Sequence, residues 1–394
     1  MKNCSAFSRI VAFVAAFVLV ISCSVEKNGQ GEEELIYNDS HTLIIYMMGN
    51  NGLASFMDSN FSKILKAAPA ALEHGKIAVF YDRGNYTRLT ELYKGEDGSV
   101  KQRIMKQWAP ETTSTVDPQF MKEVFDLVEE ELPSDTYGVV FSSHGGGWVP
   151  SDIFDLYLEN DRTEFSAEPK TKFFGQDGLA CMEIPDLASV LSRLSPDYVV
   201  FDACLMASVE ALYDLRNVTD YIVASPIEVD GAGFPYEDFL SMLFLEHDGP
   251  LKVCEAFAAY YQASFGAVSL IDCGMLTNLA LKMKAVLASA SSQTVSVADI
   301  QAFDGFNTHL YFDLLDYVRN LDADVNAVKE FEETLSETVL YSWHTDVFQT
   351  EYGDVGSYPV KECCGMSCHI SQPSAPKTHA AYLETAWASA IGAK

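Results

Sequence analysis

The chain is poor in positive charge. Its 394 residues carry 26 Lys and Arg against 56 Asp and Glu, a formal net charge of -30 at pH 7. No basic run occurs along it. Gripping phosphates needs clustered Lys and Arg, so nucleic acid is excluded as a partner. The acidity serves solubility and favours cationic substrates. Long apolar runs are missing too. The stretch from Ile10 to Ile21 is too short to span a bilayer comfortably. There is no internal repeat and no low-complexity tract, no Gly-x-Ser-x-Gly elbow and no Cys-x-x-Cys pair. The nearest approach to the elbow, Gly365-Met366-Ser367-Cys368-His369, lacks the second glycine and lies very late. Four ligands as close together as Cys363, Cys364, Cys368 and His369 would crowd a tetrahedral zinc, so no metal site is expected there.

What is present begins with a leader. Lys2 and Arg9 precede the apolar stretch, and Ser22-Cys23 follows it, the order of an export signal. Val20-Ile21-Ser22-Cys23 resembles the lipobox of bacterial lipoproteins, which implies cleavage before Cys23 and a lipid on its thiol. An ordinary signal peptide with an incidental cysteine is the competing reading. The polar, acidic SVEKNGQGEEE after it reads as a flexible tether. The division expected is a signal peptide over 1–22, a tether over 23–39, a core over 40–237 and a helical and mixed extension over 238–394 that completes the fold. Of nine cysteines, seven remain past Cys23, an odd number that leaves at least one thiol free.

The body alternates strand and helix. Apolar, β-branched runs at 41–49, 76–84, 137–145, 197–204, 220–226 and 267–274 read as buried strands. Segments 87–95 and 100–108 alternate as a hairpin. Apolar residues at helical spacing predict helices over 53–68, 117–133, 183–194, 206–216, 249–265, 276–292, 322–341 and 383–392, and 364–371 reads as a late strand. The polar segment 149–176 has no period and reads as a long loop. This order predicts an α/β sandwich, a mostly parallel sheet with helices on both faces.

Two strand ends carry chemistry. YGVVFSSHGGGWVP ends an apolar run at His144 and then slackens into Gly145, Gly146 and Gly147; YVVFDACLM ends another at Asp202 and Cys204. In open α/β sheets ligands bind beyond the carboxyl ends of strands, so neighbouring strands would bring both side chains to one cleft. A cysteine reacts as its thiolate, and a histidine can take that proton. Glycines let backbone N–H groups approach a carbonyl that is gaining negative charge. Core packing for the histidine and cysteine, and a plain turn for the glycines, remain the alternatives.

Together the stretches resemble the clostripain family of cysteine peptidases, in the caspase-like clan. The likeness rests on His144-Gly145 with Trp148 following, on Asp202-Ala203-Cys204-Leu205-Met206, and on IIYMMGNNGL (44–53) and SPIEVDGAGFPY (225–236), and covers about 40–240. The resemblance implies a three-layer α/β/α caspase-like sandwich that hydrolyses peptide bonds. It makes Cys204 the nucleophile, His144 its proton carrier and the Gly145 N–H an oxyanion donor. It implies protein or peptide substrates with Arg or Lys before the cut, and Asp202 at the base of the pocket, with Glu228 or Asp230 as a second acidic contact. Capping the helix after Cys204 is the other role open to Asp202. Calcium is the one cofactor the family raises, and no Asp-x-Asp-x-Asp-Gly pattern is present. Members also cut themselves between the His and Cys strands, where 149–176 holds Arg162, Lys170 and Lys172. Asn50 stands where the family often has aspartate, which bears on substrate preference. The whole reading is an exported, lipid-anchored endopeptidase at the outer membrane or cell surface. A silent surface lipoprotein of the same fold, binding peptides or glycans, is the alternative.

Overall fold

The computed structural model describes residues 35–38, 40–110, 113–150, 174–351, 353–372 and 374–393. The leader, Cys23, nearly all of the tether and most of the 149–176 segment, with Arg162, Lys170 and Lys172, lie outside the described residues. Residues from Ile36 onward form one unit.

In chain order the first half runs β1 (His41–Met48), α1 (Ala54–Ala71), β2 (Lys76–Asp82), β3 (Thr87–Lys94), β4 (Val100–Trp108), α2 (Pro118–Glu131), β5 (Thr136–Ser142), β6 (Phe174–Asp177), β7 (Ala180–Met182), α3 (Ile184–Leu194), β8 (Tyr198–Asp202), α4 (Val209–Leu215) and β9 (Tyr221–Ala224). The second half adds α5 (Tyr236–Phe239), α6 (Gly249–Tyr261), β10 (Ala267–Asp272), α7 (Leu276–Ser289), β11 (Phe312–Asp313), α8 (Leu314–Asn320), α9 (Val325–Thr338), β12 (Val339–His344), β13 (Val347–Thr350), β14 (Gly356–Pro359), β15 (Ser367–Cys368), α10 (Pro376–Leu383) and α11 (Ala386–Ile391).

One sheet runs through the unit in the order β12-β10-β9-β8-β5-β1-β2-β3-β4. The five middle strands, β9 to β2, are parallel. Antiparallel strands flank them on both sides. Strand β1 explains the layering. All eight of its residues are buried, as a strand covered on both faces requires. Ile44, Tyr46 and Met48 face one core with α2 and α3, and Leu43, Ile45 and Met47 face the other with α1 and α6. The period of two in the backbone thus divides one apolar run between two cores. Each such side chain contributes roughly 1.5–3 kcal/mol. The result is the expected three-layer α/β/α arrangement, and the part beyond residue 238 supplies strands β10 and β12 to the sheet itself.

Helix starts follow local chemistry. Asp117 accepts a hydrogen bond from the Phe120 N–H at 2.9 Å, and Pro118 opens α2 where its missing N–H costs nothing. Four segments depart from expectation. The helical pattern over 322–341 stops at Thr338, and Val339–His344 instead pairs antiparallel with β10. Its β-branched and aromatic residues suit a sheet edge, and periodicity alone does not detect the switch. The helix expected from 206 begins only at Val209. The end of the supposed long loop is strand β6, which pairs with β7, and the late strand shrinks to Ser367–Cys368.

Candidate active site

Strands β5 and β8 are parallel neighbours, with Ser142 opposite Asp202. Each chain runs two residues further, to His144 and to Cys204, so both emerge at the same edge of the sheet. They line one cavity of about 280 Å³, together with Asp202, Glu228, Asp230 and Glu351. Leu53, Phe56 and Phe265 form apolar parts of its wall.

The His144 ring is half-buried, and its Nε2 is enclosed without a hydrogen-bond partner among the described residues. Burial lowers its pKa to about 4, so the free imidazole is neutral. The main chain beyond it is held by β6, where the Gly175 N–H donates to the His144 carbonyl at 3.0 Å. Gly145 faces Phe174 in an antiparallel bridge whose bond comes from that neighbouring position. The Gly145 N–H therefore points away from β6. A Cβ on Gly145 would lie 2.5 Å from the Cys204 carbonyl oxygen, so only glycine permits this approach.

Cys204 opens a tight turn before α4. Leu205 takes φ 61, a left-handed conformation that costs a side-chain-bearing residue roughly 1–3 kcal/mol. The turn is fixed by Leu205 N–H to Ile227 C=O and Ala207 N–H to Ser225 C=O, both 3.0 Å. The Sγ of Cys204 accepts from the Val229 N–H at 3.3 Å and lies 3.7 Å from the Val229 carbonyl. Burial raises the thiol pKa, and Glu228, Asp202 and Glu351 push it up further. Among the described residues His144 and Cys204 share the cavity without a hydrogen bond to each other.

Asp202 is buried at the floor. Its Oδ1 accepts from the Phe234 N–H at 3.0 Å, and its Oδ2 from the Tyr236 hydroxyl at 2.8 Å and the Ser142 hydroxyl at 3.1 Å. Burial raises its pKa, and these three donors oppose the rise. No bond links it to the helix after Cys204, whose N-cap position is Ser208. Glu228 is buried and accepts from the Thr350 hydroxyl and, at 2.9 Å, from the Glu351 N–H. It straps the β13–β14 hairpin to the cavity. Asp230 accepts from the Ala232 N–H at 2.8 Å, which shapes the turn that places Gly233 against Asp202.

Several site residues escape sequence reasoning. Glu351 and Gln349 reach the cavity only through the hairpin, and Asn60 through α1. No spacing signal links them to Cys204. The late Ser367 is buried in β15, and His369 packs between Trp148 and Tyr382, behind the glycine loop. Cys204, Cys254, Cys273, Cys363, Cys364 and Cys368 are free thiols. Among the described residues no group of three or more His, Cys, Asp or Glu side chains could hold a metal ion.

The chain is similar to known proteins along most of its length. Clostripain from Hathewaya histolytica is 28% identical over 162 residues, 38% of this chain, and the chain spans only 30% of that protein's length. An inactive zymogen protease from Parabacteroides distasonis superposes with a TM-score of 0.78 at 27% identity, covering 89% of this chain and 97% of its own. A secreted cysteine protease from Bacteroides thetaiotaomicron, solved with an irreversible peptide inhibitor, gives a TM-score of 0.78 at 27% identity over 89% and 98%. Residues 45–383 match the profile of the clostripain family, and the chain belongs to that family of cysteine peptidases.

Proposed function

We propose that the protein is a cysteine endopeptidase that cuts after Arg or Lys, with Cys204 as nucleophile and His144 as proton carrier. The observation that carries this is the shared cavity: a thiol and an enclosed, neutral imidazole at adjacent strand ends, above a floor and rim of carboxylates. The resting pair is neutral, since the thiol pKa is raised and that of the imidazole lowered to about 4. Proton transfer therefore accompanies attack. Cys204 Sγ bonds to the scissile carbonyl carbon while its proton passes to His144, and the carbonyl electrons move onto oxygen. The Gly145 N–H, turned away from β6, stabilises that oxyanion. Collapse expels the amine, which leaves with the proton from His144. Water then attacks the thioester with His144 as base, releasing the acid and restoring the thiol.

Selectivity follows from charge. A guanidinium or ammonium entering the cavity meets the buried Asp202 carboxylate, whose Oδ1 accepts from the Phe234 N–H and retains accepting capacity. Asp230 and Glu351 add negative charge nearer the mouth, and Glu228 acts through the hairpin that it holds. Leu53 and Phe56 suit the aliphatic stem of Arg or Lys. We further propose export with a lipid on Cys23, on the leader chemistry and the secreted relative, and self-processing at a basic residue of 149–176.

The test is to assay residues 24–394, as wild type and as Cys204→Ala, on fluorogenic peptides ending in Arg, Lys, Ala and Asp. Cleavage after Arg or Lys that the variant abolishes supports the reading. Activity only after Ala or Asp removes the role given to Asp202. No cleavage under any condition, with reductant and calcium included, favours a peptide-binding lipoprotein of the same fold.

A further inference from the structure

The glycine loop has an unusual support from the far half of the chain. Tyr311 is fully buried, and its hydroxyl donates to the Gly146 carbonyl. Its main chain is held by a turn built on Asp304. The Asp304 carboxylate is buried and accepts from the Leu310 N–H at 2.8 Å, the Tyr311 N–H at 2.9 Å, the Phe306 N–H at 3.0 Å and His309 Nδ1 at 2.9 Å. The Tyr311 carbonyl accepts from the Phe303 N–H at 2.9 Å. The phenol is thus delivered from a rigid turn to a backbone that has no side chains of its own.

That contrast matters for catalysis. Three successive glycines have the freest backbone available, and an oxyanion donor works only if it is preorganised. His144 is pinned by the Gly175 N–H, and Gly147 packs against the Leu205 carbonyl and Ser208. The phenol fixes the Gly146–Gly147 peptide between them, two peptide units beyond the one that carries the Gly145 N–H. We propose that Tyr311 is a positioning residue: its hydroxyl holds the Gly146–Gly147 peptide, so that with the Gly175–His144 bond at the other end it limits rotation of the loop that carries the Gly145 N–H, and thereby shapes the oxyanion site. The inference rests on the cysteine-peptidase reading above.

The test is Tyr311→Phe in the full chain, which keeps the buried ring and deletes only the donor. Three readouts separate positioning from mere support. On an Arg-ending fluorogenic peptide, kcat should fall roughly ten- to a hundredfold with KM changed little, a fraction of what loss of a whole oxyanion donor costs. Inhibition by an Arg-ending peptide aldehyde should weaken by a similar factor. In that reaction Sγ adds to the aldehyde carbon, and its oxygen occupies the oxyanion site as the hemithioacetal. Alkylation of Cys204 by iodoacetamide, a displacement of iodide that forms no oxyanion, should keep its wild-type rate. Equal losses in all three readouts, or an unchanged kcat, overturn the proposal while leaving the peptidase reading intact. If Tyr311→Phe does not fold, His309→Gln, at a half-exposed partner of Asp304, loosens the same turn and should give the same split at smaller amplitude; absence of that split overturns the proposal. Wild type that cleaves nothing, or activity that survives Cys204→Ala, removes the underlying reading and this inference with it.

Discussion

Asp202→Asn should separate specificity from stability. The substitution is isosteric, and the surroundings can accommodate it. The amide oxygen can keep the Phe234 N–H, and the new NH₂ can face the Tyr236 and Ser142 hydroxyls, which become acceptors by rotating their hydrogens. What is lost is the charge opposite an Arg or Lys side chain. A hydrogen bond to a charged group contributes about 1.5–3 kcal/mol. At roughly 1.4 kcal/mol per decade, kcat/KM on Arg- and Lys-ending peptides should drop about 10- to 150-fold. Stability should move the other way. Burial raises the folded pKa of Asp202 above its unfolded value, so this group makes stability fall as pH rises from below the unfolded pKa through the folded one. Wherever the group is ionised its buried charge is a penalty, and the neutral amide relieves it. The assay is steady-state kinetics on Arg- and Ala-ending peptides beside thermal unfolding at pH 7. An unaltered preference for Arg would refute the recognition role. A fall of several degrees in Tm would refute the claim that the carboxylate is unfavourable to the fold.

Four other outcomes follow from contacts at the site and around it. Gly145→Ala should lower kcat by more than about a hundredfold, since its Cβ would lie 2.5 Å from the Cys204 carbonyl oxygen and the loop must shift; kinetics of the folded variant, checked by circular dichroism, decides this. Glu351→Gln should raise the iodoacetamide reactivity of Cys204 at pH 7, because one carboxylate that holds the thiol pKa up is removed. The same variant should cut several-fold less well after Arg, and competition between Arg- and Ala-ending peptides measures it. The His309 pKa is raised, chiefly by its hydrogen bond to Asp304, so the stability it contributes is full below its unfolded pKa, near 6.5, and is lost as pH rises through the higher folded value. The Tm difference between wild type and His309→Gln should therefore be larger at pH 5.5 than at pH 8.5; a difference independent of pH would contradict it.

The two halves of the site were legible to different degrees. His144 and Cys204 stand out because an apolar run that stops at a reactive residue marks a strand end, and strand ends in α/β sheets open onto clefts. Asp202 stands out because it lies two residues before Cys204, at the end of the same apolar run. Its role did not follow from that position alone: a cap for the following helix was the other role open to it, and the structure instead pairs it with Ser142, Phe234 and Tyr236. Glu228 reads as a free acid beside the site, yet its oxygens are engaged by Thr350 and Glu351. Glu351 and Tyr311 carry no local signal, because both reach the site across more than a hundred residues of intervening chain.

The layering, and the candidate residues for chemistry, could be read from the chain alone. Doubly apolar strands such as β1 can be satisfied only between two cores, and a cysteine and a histidine at strand ends beside glycine constrain the reaction. The tertiary structure alone decided that β5 and β8 are neighbours in register, that Val339–His344 is a strand, and that the far half supplies the hairpin and the phenol that shape the cavity. Periodicity reports which face of an element is buried. Strand order and long-range hydrogen bonds depend on which surfaces meet when the chain closes, and that is a property of the whole packing.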